Sequence, residues 1–159
     1  MKTHFLLPNK FKAMGWILFV PSFIISILVS IFNINLDNYL KIKVFAFTET
    51  GIMVPNNYFS IIENSIADEL LLFGLIVGGI LIGFSKLKME DEFTSKIRYE
   101  SLVWATYLNY GLILLFTIFI YGMSYLNVLF YNTFTLLLFF IIRFHYQIYK
   151  LNKTLSDDK

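Results

Sequence analysis

Four long apolar stretches, at 14–32, 70–84, 102–122 and 128–146, dominate this chain of 159 residues. A helix needs about 20 mostly apolar residues to cross ~30 Å of hydrocarbon at ~1.5 Å per residue. Inside lipid the backbone must satisfy its own hydrogen bonds, so stretches of this kind are expected to be helical. The expected fold is therefore an all-α membrane protein: a four-transmembrane-helix bundle forming a single membrane domain over 1–159. Composition agrees, because 57% of the residues are hydrophobic and only 15% charged. A soluble domain of this size has nowhere to bury so much apolar surface.

The basic residues give the stretches an orientation. Lys2, Lys10 and Lys12 precede the first, Lys86, Lys88, Lys96 and Arg98 lie between the second and third, and Arg143, Lys150, Lys153 and Lys159 lie in or beyond the fourth. Lys41 and Lys43 alone occupy the first connection, 33–69. Short cytoplasmic segments retain Lys and Arg during insertion. Both termini and the connection 86–101 are thus expected in the cytoplasm of a cell whose inner membrane holds the protein. Trp16, Tyr99, Trp104, Tyr146 and Tyr149 would mark the inner interface, and Tyr121, Tyr125 and Tyr131 the outer one. The first stretch resembles a secretory signal in its basic lead-in, but it is long for one. No small-x-small cleavage site follows it, so it reads as a retained helix.

Within the spans, small residues mark expected packing faces. Ser22, Ser26 and Ser30 recur every four residues on the first span, and Gly74/Gly78 and Gly79/Gly83 form overlapping pairs on the second. Helices associate in lipid where small residues let backbones approach. The serine stripe is expected against a glycine face, or the glycine face against another copy. Tyr107, Asn109 and Tyr110 on the third span, with Asn132 and Thr135 on the fourth, supply mild intramembrane polarity. No ionisable residue lies near a span's midpoint, where coupled transporters usually keep one. Glu100 and Arg143 lie at the inner edge and are a candidate ion pair.

Folding signals outside lipid fall in two connections. In the outer one, Lys41–Phe47 and Ile52–Val54 flank Thr48–Gly51 and predict a short extracytoplasmic β-hairpin. Tyr58–Ala67 follows as an expected interfacial helix, with Ser60/Glu63 and Ser65/Asp68 at capping-box spacing. In the inner one, 86–101, Met89, Phe93 and Ile97 recur on one helical face, with Glu92, Lys96 and Glu100 as an alternating-charge ladder beside it. That helix is expected to run straight into the third span. Its charges cancel, which suits a protein-docking surface better than an anionic-lipid patch.

Familiar chemistry is missing from the sequence. It has no Cys and only two His, and it lacks the HExxH, GxSxG, Walker A and GxGxxG patterns. No enzyme activity, cofactor, metal site or nucleic-acid partner is expected. Phe84–Lys86, Glu90–Phe93, Ser95–Arg98 and Glu100–Ala105 resemble a family of small four-span bacterial membrane proteins with no assigned activity. That resemblance implies a bacterial cytoplasmic membrane and a compact helical bundle, and it supplies no catalytic residue. The expected function is regulatory or accessory: docking a partner through the inner helix, or sensing envelope state through the outer cap. One alternative is a small oligomeric conduit lined by Tyr107, Tyr110, Asn132 and Thr135. The other is a structural subunit of a larger membrane complex, or a homo-oligomer, joined through the glycine face.

Overall fold

The computed structural model describes residues 5–36, 39–51, 54–88 and 90–157. Their elements, in chain order, are α1 (Lys10–Phe32), β1 (Lys41–Gly51), β2 (Val54–Ser65), α2 (Ala67–Gly83), α3 (Glu92–Phe119) and α4 (Met123–Asp157). Three of these helices, α1, α3 and α4, are long and apolar enough to cross a membrane. The remaining helix, α2, has 17 residues and opens with Asp68 and Glu69. α4 has 35 residues, a length of roughly 50 Å at the α-helical rise. It runs well past the expected end of its span at 146.

Glycines set the order of packing. A Cβ on Gly78 would lie 2.7 Å from the Phe19 backbone nitrogen, and one on Gly74 would collide with Ser22 Oγ. Gly15 of α1 lies as tightly against Ile82. These contacts align α1 and α2 antiparallel at close backbone approach. Gly79 and Gly83 face the other way, onto Leu137 and Phe140 of α4. Both glycine faces are therefore filled within one chain, which leaves neither free for a second copy or another subunit. Phe19, Leu75, Ile82, Phe134 and Ile141 form one core among α1, α2 and α4. Ile97, Ala105, Phe140 and Phe144 form another between α3 and α4.

α1 and α3 begin, and α2 and α4 end, at the same end of the bundle, here termed the base. An irregular clamp closes it. Leu7 N–H donates to Phe84 O and Lys86 N–H to Leu7 O, each at 2.9 Å. The Asn9 side-chain amide donates to Lys86 O at 2.7 Å. α3 starts at Glu92, so 86–88 and 90–91 are not part of the expected helix. Asp91 explains the late start: its extended backbone and its carboxylate, which accepts from Thr94 N–H at 2.7 Å, make it the N-cap. From there α3 runs unbroken to Phe119.

At the opposite end stands an antiparallel hairpin, paired from Lys41↔Ser65 at its foot to Gly51↔Val54 near its tip. It is longer than expected: Thr48–Gly51, expected as the turn, belongs to β1, and 58–65 is strand where an interfacial helix was expected. Tyr58, Ile61 and Ile62 are good strand formers, and pairing with β1 satisfies backbone groups that a short surface helix would leave to water. Neither capping box is used. Ser65 Oγ donates instead to Leu36 O and Tyr39 O, tying the hairpin's foot to the end of α1. The exposed rings of Phe45, Phe47 and Phe59 cluster on one face, with centroids 5.4–6.3 Å apart.

Candidate functional site at the base of the bundle

A buried ion pair lies under the clamp. Arg98 projects from α3 and reaches Glu90 through both terminal nitrogens, at 2.5 and 3.2 Å. The two side chains are only 8% and 15% exposed. Arg98 also donates to Ser85 O at 3.2 Å and sets its guanidinium 4.9 Å from the centre of the Phe144 ring. The second Glu90 oxygen accepts Leu87 N–H at 2.9 Å. A buried charge is tolerated only when paired and hydrogen-bonded, and the forked Arg–carboxylate geometry does both. The pair thereby fixes the α2–α3 connection against α3.

Several polar atoms near this pair are buried without a hydrogen-bond partner among the described residues: Ser85 Oγ, Ser101 Oγ, Arg98 Nε, Arg143 Nε and His145 Nε2. His145 Nδ1 meets Ile141 O at 2.9 Å, and its ring and that of Trp16 form a T-shaped pair. Buried unsatisfied polar atoms are uncommon in folded proteins. Ser60 Oγ, on the hairpin, is a further buried atom without a partner among the described residues.

Glu100 and Arg143 do not form the expected ion pair. Glu100 turns to Lys96 on its own helix, at 3.9 Å. Arg143 lies over Trp104, 4.6 Å from the ring centre, where its flat cation meets the negative face of the indole. Both nevertheless line one cleft of about 270 Å³ between α3 and α4, with Phe93, Ile97, Ser101 and Lys150. The expected docking face divides here. Ile97 is 9% exposed and belongs to the core, whereas Phe93 is 53% exposed at the cleft's mouth. Met89 lies outside the described residues. Lys96 stands exposed on the solvent side of α3, and Glu92 in its first turn.

The polar residues expected inside the membrane are not gathered around one path. Asn109 and Asn132 exchange amide hydrogen bonds, at 3.0 and 3.4 Å, across the α3–α4 contact. Asn109 is 2% exposed, while Tyr107 is 76% exposed and Tyr110 points outward as well. Thr135 donates to Tyr131 O on its own helix. The helical repeat explains the division, since residues one or two apart from Asn109 point to different faces. Of the serine stripe, Ser22 meets Gly74, Ser30 Oγ lies 3.4 Å from Tyr131 Oη, and Ser26 lines a small apolar cleft between them.

The Glu90–Arg98 pair escapes sequence reasoning because eight residues separate its partners, a spacing that no regular helix brings together. Its one signal is the doubled acid before α3, where Asp91 caps and Glu90 is left to turn back. No protein-family model, no curated protein and no solved structure matches the chain.

Proposed function

We propose that this chain is an accessory membrane protein that crosses the bilayer four times and docks a cytoplasmic protein at its base. The observation that carries the reading is the α3–α4 cleft. An exposed aromatic, Phe93, stands at its mouth, Arg143 and Lys150 supply positive charge along its wall, and the acid that also lines it, Glu100, is paired with Lys96. Ser101 Oγ and Arg143 Nε are buried there without hydrogen-bond partners among the described residues. Such a cleft suits a short segment that combines an apolar anchor with carboxylates, because aromatic and Arg anchors carry most interface energy.

The company α2 keeps supports a fourth crossing. It lies antiparallel along α1 with close backbone approach at Gly74 and Gly78, which favours its sharing the depth of α1. The excess of Lys and Arg at the base supports a cytoplasmic base, in a bacterial inner membrane, with the hairpin outside. The hairpin's Phe45, Phe47 and Phe59 offer a second apolar surface for envelope contacts. The conduit reading draws less support, since Asn132 is paired inward while Tyr107 and Tyr110 face away from it.

The test is a photoreactive amino acid placed at Phe93 in the full-length protein in native membranes. A discrete protein adduct, lost with Lys150→Glu, is expected. Adducts to lipid alone, or a protein adduct unchanged by Lys150→Glu, contradict docking at this cleft.

A further inference from the structure

A second cleft at the base, of about 400 Å³, lies between α1 and the α2–α3 connection. Asn9, Lys12, Ala13 and Trp16 line one wall, and Leu87 and Lys88 the other. The clamp from Leu7 to Lys86 creates it by drawing the first turn of α1 beside residues that are distant in sequence. Lys12 and Lys88 also share a neighbouring cleft of about 360 Å³, so both lysines line one continuous concave surface.

The charge balance here differs from that of the inner connection taken alone. Glu90 is engaged by Arg98 and by Leu87 N–H, and Asp91 by the start of α3. Neither Lys12 nor Lys88 forms an ion pair with a carboxylate among the described residues. Arg98 and Glu90 cancel one another, so the cations that line this cleft are Lys12 and Lys88.

The lining is also graded along the helix. Asn9, Lys12, Ala13 and Trp16 follow the spacing of one α-helical face, and the same stripe continues through Ile17 and Val20. Trp16, Ile17 and Val20 are all exposed on the single chain. The surface therefore passes from cationic through indole to purely apolar within about two turns. Trp is the side chain favoured at the level of lipid headgroups. A soluble phosphate would use only the first part of this surface, whereas an anionic amphiphile would use all of it.

We propose that Lys12 and Lys88 bind the phosphodiester headgroup of an anionic phospholipid, whose acyl chains lie along Trp16, Ile17 and Val20 of α1. This requires only that α1 sit in the membrane and is independent of protein docking at the α3–α4 cleft.

The full-length protein in a neutral detergent is titrated with dioleoyl phosphatidylglycerol and, separately, with dioleoyl phosphatidylcholine, and bound lipid is read by native mass spectrometry. Phosphatidylglycerol is expected to bind at least tenfold more tightly, with occupancy falling as salt rises. Lys12→Gln/Lys88→Gln removes that preference, and Lys88→Gln alone, at an exposed position outside the helices, reduces it. Lys41→Gln/Lys43→Gln, on the hairpin, leaves it intact. Inorganic phosphate at millimolar concentration is expected not to displace the lipid. Equal binding of the two lipids, a preference that survives both base variants, or displacement by inorganic phosphate would overturn the proposal.

Discussion

The Glu90–Arg98 pair concentrates the chemistry of the base in two side chains. Both are largely buried, so removing one leaves the other charged and unpaired, a change that costs about 3–5 kcal/mol in comparable cases. Glu90→Gln is expected to lower the unfolding midpoint sharply in detergent. Glu90→Gln combined with Arg98→Met is expected to recover part of that loss, because no orphaned charge remains. A double variant less stable than Glu90→Gln would contradict this account. Asp91 acts by position instead. Its hydrogen bonds with Thr94 hold its carboxyl below the ordinary aspartate range. A depressed folded-state value means that the cap's contribution is present above the unfolded pKa and is lost as acid protonates the carboxylate. Asp91→Ala should therefore weaken α3 at neutral pH and remove that part of its acid sensitivity, as read by circular dichroism across pH.

Among the elements, α2 depends most on residue size. Gly78→Leu would drive a side chain into the Phe19 backbone and is expected to separate α1 from α2, with loss of folded protein on size exclusion in detergent. Gly111→Ala is the control, because nothing lies within 4 Å of its added Cβ. It should be neutral or slightly stabilising, since Gly costs up to ~1 kcal/mol against Ala inside a helix. Asn109→Leu leaves Asn132 unpaired between helices and is expected to cost about 0.6–2 kcal/mol. The small-residue spacing on α1 and α2 is visible in the sequence; which face meets which helix is not, because Gly79 and Gly83 turn to α4 only once the bundle has formed. β2 shows the opposite difficulty. Ser60/Glu63 and Ser65/Asp68 carry a local helix signal, and the winning interaction is non-local pairing with β1. Phe93 and Ile97 likewise share a stripe, yet only packing against Phe140 and Phe144 decides that Ile97 is core.

Across the whole molecule, an apolar bundle carries two different ends. The hairpin end exposes aromatic rings on a two-stranded sheet, which is marginal in water without support. The base gathers the clamp, the buried ion pair and both clefts. Hydropathy reveals the long helices directly, and basic-residue placement gives an expected orientation that labelling from each side tests. The base is hidden from such reading because it joins residues 7–9, 84–91, 98 and 143–151 through tertiary contacts alone. The account depends most on α2 crossing the bilayer beside α1, and the absence of Cys makes that directly testable. Single substitutions Lys43→Cys, Lys86→Cys, Tyr121→Cys and Lys153→Cys are exposed to a membrane-impermeant maleimide in intact cells and again after permeabilisation. The account predicts labelling at 43 and 121 in intact cells, and at 86 and 153 only after permeabilisation. Labelling of 43 and 86 from the same side would mean that α2 does not cross, and would contradict the four-span arrangement.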